Sequence, residues 1–305
     1  MNTTLKMTEK KLVVCDDIME NGQVAASKFC APVFIANSSF GTLLSKEGDL
    51  VFQRIEEGSV RSGTLTFISY RGELLALTCR HVVTALRQKR EQWRSAMLEQ
   101  YQFEPDHVPF HLYTPIGLNR FHFSYELTPV PPNLDASEPD VAIARIDRDV
   151  ITRLGRVPLV FADKKKLPVT GIACGYPEQQ RTLTAGEHLS NLALMFVACT
   201  ATLQVTGKGN LLLQDEISEN NGVNNLSGMS GGPILWSDQK RFGLAGIVYE
   251  GSDIQGGEGR LMKGSGIWIR GERISAAKLD EWLPHIPANS RVNEQKGLYV
   301  PSALR

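Results

Sequence analysis

A serine, a histidine and an aspartate stand in this chain where short loops could present them to one another. Ser230 lies in Leu226-Ser227-Gly228-Met229-Ser230-Gly231-Gly232-Pro233-Ile234-Leu235, between glycine-bearing turns, closed by a proline and followed by an apolar run. Glycines admit φ > 0 and close backbone approach. Such a loop can aim N–H groups at one point beside a hydroxyl, as an oxyanion hole with its nucleophile requires. The bland alternative is a glycine-rich turn before a strand, and most such turns do no chemistry. A general base and an orienting acid elsewhere would separate the two readings.

His81 follows Leu77-Thr78-Cys79-Arg80 and precedes Val82-Val83-Thr84-Ala85-Leu86, so a strand ends and a helical turn begins at it. For a single histidine the ordinary reading is a surface or hydrogen-bonded core residue. Asp140 opens the apolar run Val141-Ala142-Ile143-Ala144, the pattern of a tightly packed strand. Asp135, in the preceding loop, and Asp147, at the far end of that strand, are poorer candidates for a buried acid. The order His81, Asp140, Ser230 has separations of 59 and 90 residues. A serine hydroxyl is a poor nucleophile until an imidazole removes its proton, and a carboxylate on the imidazole's other nitrogen fixes tautomer and orientation. The backbone amides of Gly228 and Ser230 are the candidate donors to the developing oxyanion.

The segments around these residues read as strands. Pro32–Ile35, Leu50–Phe52, Leu65–Ile68 and Glu73–Thr78 are short, β-branched or aromatic, and separated by turn residues. Similar pieces recur at Val108–Tyr113, Phe121–Tyr125, Val157–Phe161, Val169–Cys174, Ala193–Cys199, Ala201–Val205, Leu211–Gln214, Gly243–Tyr249 and Gly266–Arg270. His111 and His122 fall in alternating segments and read as structural. Trp93, Met97 and Tyr101 on an otherwise charged face predict a surface helix over Arg87–Gln100, and Leu279, Trp282 and Leu283 predict a closing helix over Ile274–Leu283. Many short strands, few helices and two similar halves point to two small antiparallel barrels.

With 305 residues, 42% of them hydrophobic and 22% charged, the chain has an ordinary globular profile. Lys+Arg and Asp+Glu both number 33, so no global field steers it to nucleic acid or an anionic membrane. The clusters Lys164-Lys165-Lys166 and Arg87-Gln88-Lys89-Arg90 read as solvated faces. The five cysteines, Cys15, Cys30, Cys79, Cys174 and Cys199, are odd in number and lack Cys-x-x-Cys spacing. That suits free buried thiols rather than disulfides or a zinc site. Met1 to Lys11 is charged and lacks the apolar core of a secretion signal, and no apolar stretch has membrane-spanning length. A cytoplasmic location is expected.

These motifs together resemble the trypsin/chymotrypsin-like serine proteases (PA clan). Thr78-Cys79-Arg80-His81-Val82-Val83 is similar to the family's histidine motif, with Arg80 where a small residue is usual. Asp140-Val141-Ala142-Ile143 and Gly228-Met229-Ser230-Gly231-Gly232-Pro233 match its aspartate and serine motifs. The resemblance covers roughly residues 31 to 284 and is nearer to the disulfide-free bacterial members. It implies two antiparallel six-stranded β-barrels packed face to face, with the active site in the cleft and a C-terminal helix. It also implies that Gly246–Gly251 contains the strand that pairs with substrate. Tyr249, Glu250 and Gly251 there, with Gly266 and Asn224, become candidate substrate-binding positions.

Two departures qualify the resemblance. Met229 stands where secreted members carry an aspartate that accepts the new N-terminus after zymogen cleavage, so that trigger is not expected. Asn224 replaces an acid at the pocket base, so a preference for Arg or Lys at the cleavage site is unsupported. The expected organisation is an N-terminal extension (1–30), a first barrel with His81 and Asp140 (31–150), a second barrel and helix with Ser230 (151–285) and a tail (286–305). The expected function is a regulated intracellular serine endopeptidase of restricted substrate range, acting through an acyl-enzyme on Ser230. Its partners would be a protein or peptide substrate and a regulatory protein, with no nucleic acid, membrane, metal or cofactor. The segment between His81 and Asp140 is long for the family and is a candidate regulatory surface. The alternative class is a catalytically silent protease fold used as a binding or scaffold module. An ester hydrolase ranks low, because Ser230 is followed by Gly-Gly-Pro and a strand instead of a helix.

Overall fold

The computed structural model describes residues 26–37, 43–44, 50–51, 62–101, 110–116, 119–132, 139–178, 181–185, 190–194, 196–207, 209–216, 226–238, 241–251 and 266–288. Its first half is a sheet of eight strands: β1 (Cys30–Asn37), β2 (Ser62–Tyr70), β3 (Glu73–Thr78), β4 (Phe110–Ile116), β5 (Asn119–His122), β6 (Thr128–Val130), β7 (Val141–Arg145) and β8 (Leu159–Val160). Their order is β5-β4-β1-β2-β3-β7-β6, with β8 pairing β2 in parallel. The second half closes as a six-stranded antiparallel barrel. Its strands are β9 (Thr170–Gly175), β10 (Val197–Val205), β11 (Leu211–Glu216), β12 (Pro233–Ser237), β13 (Phe242–Gly251) and β14 (Gly266–Arg273). Around the ring they run β9-β10-β11-β14-β13-β12. The architecture is consistent with the two-barrel expectation: the second half is a closed six-stranded barrel, while the first half is a sheet of eight strands, one of which pairs in parallel.

Helix α1 (Arg80–Tyr101) starts two residues after β3 ends. Sequence periodicity suggested a single turn at His81 and a separate helix from Arg87; the two form one helix. The reason is a continuous stripe: Val82, Val83 and Leu86 are buried and Arg90 and Trp93 half-buried, at the three- and four-residue steps of one helix face. Arg90 extends the stripe by donating from Nε to the Phe110 carbonyl of β4 at 2.8 Å. A short helix α2 (Arg148–Arg153) follows β7. The closing helix α3 (Ala276–Trp282) begins at Ser275, whose hydroxyl accepts from the Lys278 N–H, an ordinary serine N-cap.

Helix α3 packs back on the first half. Leu279 and Trp282 lie in one continuous apolar cluster with Leu65, Phe67, Leu75 and Ile143. At its rim the Tyr70 hydroxyl and the Arg71 guanidinium both donate to Asp280, at 2.8 Å each. A second cluster fills the barrel, where Ala173, Leu211, Leu213, Met229, Ile234, Val248 and Ile269 are buried. At about 25 cal/mol per Å2 of apolar surface removed from water, these two clusters dominate the stabilisation. Among the described residues no helix is long and apolar enough to cross a membrane.

Candidate active site

The site lies where β2 and the β3–α1 corner meet the Leu226–Gly232 loop. Strand β2 is buried on both faces. Leu65 and Phe67 point into the first core, while Thr64 and Thr66, each 0% exposed, meet the loop. The Thr64 N–H donates to the Ser230 carbonyl at 2.8 Å, its hydroxyl to the Gly228 carbonyl at 3.0 Å, and the Thr66 hydroxyl to the Gly231 carbonyl at 2.7 Å. Threonine suits this strand because it keeps β-branched packing while supplying a donor. Neither threonine was singled out from the sequence. The usable signal was a strand whose apolar face alternates with threonines instead of charges.

Gly231 has φ +89° and Gly228 has φ +94°. A Cβ on Gly231 would stand 2.1 Å from the Thr64 carbonyl oxygen and 2.8 Å from Thr78 Cα. Position 231 therefore needs glycine twice over, for its dihedral and for its contact with the strand that leads to His81. Every carbonyl from Leu226 to Gly232 is held. Their donors, in order, are the N–H groups of Met229 and Glu178, the Thr64 hydroxyl, the N–H groups of Gly232 and Thr64, the Thr66 hydroxyl and the Val248 N–H. On the donor side, the N–H groups of Met229, Gly231 and Gly232 are engaged, whereas those of Gly228 and Ser230 meet no acceptor among the described residues. A loop with its carbonyls turned inward and two N–H groups left over can stabilise an oxyanion.

Asp140, just before β7, grips His81 at two points. Oδ1 accepts the His81 backbone N–H at 2.9 Å, and Oδ2 lies 2.5 Å from Nδ1 of the ring. The side chains are 51% exposed for His81 and 27% for Asp140, so the outer edge of the ring faces solvent and its inner edge the acid. Burial pushes the Asp140 carboxyl up, but the His81 ring and N–H and the Arg80 charge outweigh it and hold Asp140 below its ordinary value. The unexpected Arg80 thus has a place: its guanidinium donates to the Pro139 carbonyl, fixing the residue before the acid. Ser230, half-exposed, makes no side-chain hydrogen bond among the described residues.

The other anticipated positions are distributed as follows. Tyr249 is half-buried at a register irregularity of β13, and Glu250 is exposed and paired with Arg270 at 3.0 Å. Gly251 ends β13, Gly266 opens β14 opposite Glu216, and Asn224 lies outside the described residues, as does Asp135. Asp147 accepts from the Tyr125 hydroxyl at 2.9 Å, at the far end of β7 from Asp140. His111 and His122 meet as tilted rings with centroids 4.3 Å apart, and burial, then His122 and Arg90, push His111 down to about 4.

Cys79 Sγ donates to the Val248 carbonyl at 3.0 Å. One ligand atom each from Cys79, His81 and Asp140 lie within 4.8 Å of one another, a donor set that a soft divalent ion could use. The 2.5 Å contact between His81 and Asp140 leaves no room for an ion between them. Cys30, Cys79, Cys174 and Cys199 are free thiols, and Cys15 lies outside the described residues. Burial pushes Cys30 up to about 12 and Cys199 up to about 11, which leaves both unreactive. A cavity of about 810 Å3 lies elsewhere, between β7 and the chain after α3, and contains none of His81, Asp140 or Ser230. Its central cation, Arg145, is spent on Glu73 and on the carbonyls of Leu283 and Ile286.

No protein-family model and no curated protein matches this chain. Among solved structures, similar chains include the thermostable serine protease AL20 from an extremophilic microorganism, with TM-score 0.48, 11% identity, and 87% of this chain and 100% of that one covered. Protease Anisep from Arthrobacter nicotinovorans has TM-score 0.42 and 11% identity over 83% of this chain and 94% of its own. Neuropsin, a serine protease expressed in the limbic system of mouse brain, has TM-score 0.40 and 12% identity over 83% and 92%. These neighbours are trypsin/chymotrypsin-fold serine proteases, and at such identities the likeness concerns fold alone; this chain's own strand pairing, one closed six-stranded barrel and a second sheet of eight strands, is consistent with the two-barrel fold.

Proposed function

We propose that the chain is a serine endopeptidase. Ser230 Oγ attacks the carbonyl carbon of a peptide bond while His81 takes the hydroxyl proton. Asp140 holds Nδ1 protonated, so that Nε2 is the basic nitrogen, and stabilises the imidazolium that forms. The N–H groups of Gly228 and Ser230 receive the oxyanion. Collapse of the tetrahedral intermediate expels the amine, which takes the proton from His81, and leaves an acyl-enzyme on Ser230. Water, deprotonated by His81, then releases the acid and restores the hydroxyl. The observation that supports this reading is the two-point His81–Asp140 grip beside a loop with two N–H groups that meet no acceptor among the described residues.

In this reading the substrate is a protein or peptide, met by Tyr249, Glu250, Gly251, Gly266 and Asn224. The free thiols favour a reducing compartment such as the cytoplasm, and restraint falls to a partner protein, the residues before 31 or a narrow substrate range. The test is labelling by a fluorophosphonate. The wild type should be labelled, and Ser230→Ala should lose the label with its thermal midpoint unchanged. Equal labelling of both forms rejects Ser230, and no labelling of the wild type with candidate substrates or partners present favours a silent scaffold.

A further inference from the structure

A carboxylate that the sequence did not single out lies under the Ser230 loop. Glu178 follows the Gly175-Tyr176-Pro177 turn after β9. Its Oε1 accepts from the backbone N–H of Ser62 at 2.8 Å and from the Ser62 hydroxyl at 3.1 Å, where β2 begins. Its Oε2 accepts from the Ser227 hydroxyl at 3.4 Å, and its own backbone N–H donates to the Ser227 carbonyl at 2.6 Å. One residue therefore ties the first sheet, the turn after β9 and the serine loop together.

The consequence follows from peptide planarity. The Ser227 carbonyl and the Gly228 N–H belong to one peptide unit and point in opposite directions. Holding the carbonyl against Glu178 keeps the N–H on the other side of the loop. Glycine at 228, with φ +94°, offers little resistance of its own to a flip of that peptide. Close packing on the turn leaves little slack, since a Cβ at Gly228 would lie 2.7 Å from the Tyr176 carbonyl oxygen and 2.9 Å from the Glu178 nitrogen. Met229 cannot lock the loop by charge, being apolar and 0% exposed.

We propose that Glu178 is a positioning residue: its backbone N–H holds the Ser227 carbonyl, and its carboxylate, anchored on Ser62 and on the Ser227 hydroxyl, keeps that N–H in place, so that the 227–228 peptide stays in the one orientation that offers the Gly228 N–H to a reacting carbonyl. The loop is thus preorganised by a carboxylate internal to the fold, with no need of a cleaved N-terminus. This inference rests on the proposed role of Ser230 and Gly228. Losing one oxyanion donor costs about 100- to 1,000-fold in turnover. Removing the carboxylate loosens this clamp while leaving both the Glu178 N–H and the Gly228 donor in the chain, so a smaller loss of about 10- to 100-fold is expected.

The experiment measures inactivation by a fluorophosphonate, resolved into the maximal rate of inactivation and the half-saturating probe concentration. Glu178→Ala should lower the maximal rate about 10- to 100-fold and change half-saturation less than about twofold. Glu178→Gln should stay within about threefold of wild type, because its amide oxygen still accepts from Ser62 and its NH2 group can donate to the Ser227 hydroxyl. A merely structural role would lower the thermal midpoint of both variants and would not separate rate from half-saturation. Should Glu178→Ala fail to fold, Ser227→Ala at that exposed position should still slow inactivation by about threefold or more. A maximal rate for Glu178→Ala, or for Ser227→Ala in its place, equal to wild type overturns the clamp. Equal impairment of the Gln and Ala variants also overturns it. A wild type that takes no label rejects the Ser230 reading and the clamp with it, which distinguishes the two failures.

Discussion

Replacing Asp140 by asparagine tests whether the two-point grip on His81 sets the tautomer of the ring. An asparagine has one acceptor where the carboxylate has two. If its oxygen takes over the His81 backbone N–H, now 2.9 Å from Oδ1, its NH2 group faces Nδ1 and donates to it. The ring proton then sits on Nε2, and the imidazole cannot act as a base towards Ser230. The productive tautomer requires the amide turned over, which sets its NH2 against the backbone N–H and leaves a donor unpaired, at about 1–3 kcal/mol. The imidazolium also loses a charged hydrogen-bond partner, at about 1.5–3 kcal/mol. Together these give about 2.5–6 kcal/mol, or a fall of about 70- to 25,000-fold in rate. The second-order rate of fluorophosphonate labelling measures it without knowledge of the substrate, with near-ultraviolet circular dichroism as the control for fold. A natively folded Asp140→Asn protein labelled within tenfold of wild type would refute the reasoning.

Two further expectations concern stability. Gly231→Ala should lower unfolding free energy by about 3–5 kcal/mol, from a strained positive φ and a Cβ driven into Thr64 and Thr78; an unchanged denaturation midpoint would count against the close approach. The native Asp140 carboxyl is held below 3.8, its ordinary value, so its ionisation stabilises the fold. That contribution is fully present above 3.8 and is lost as pH falls through the lower native value. The stability difference between wild type and Asp140→Asn should accordingly narrow in that acid window, as read by urea unfolding at a series of pH values; a gap that widens on acidification would reverse the sign.

The candidate positions were legible in the sequence because each is marked locally. His81 stands where strand texture stops, Asp140 where an apolar run starts, and Ser230 among glycines that only unusual backbone angles require. The strand-rich class was legible for the same reason, since alternation and turn residues act over a few neighbours. The extent of α1 was less so, because the turn at His81 and the periodic segment from Arg87 read as separate pieces until the continuous stripe of buried Val82, Val83 and Leu86 and half-buried Arg90 and Trp93 is seen. What only the tertiary structure decided is how the Ser230 loop is held. Thr64 and Thr66 meet it from 164 and 165 residues away along the chain, and Glu178 links Ser62 to Ser227 across 116 and 49 residues. Alternation marks Thr64 and Thr66 as buried, but no local pattern names the partner that a buried threonine or a turn glutamate will meet across such separations. The contacts of Ser62, Thr64 and Thr66 exist only once the two halves pack, and the two threonines hold the carbonyls of Gly228, Ser230 and Gly231 in a loop whose Gly228 and Ser230 N–H groups meet no acceptor among the described residues.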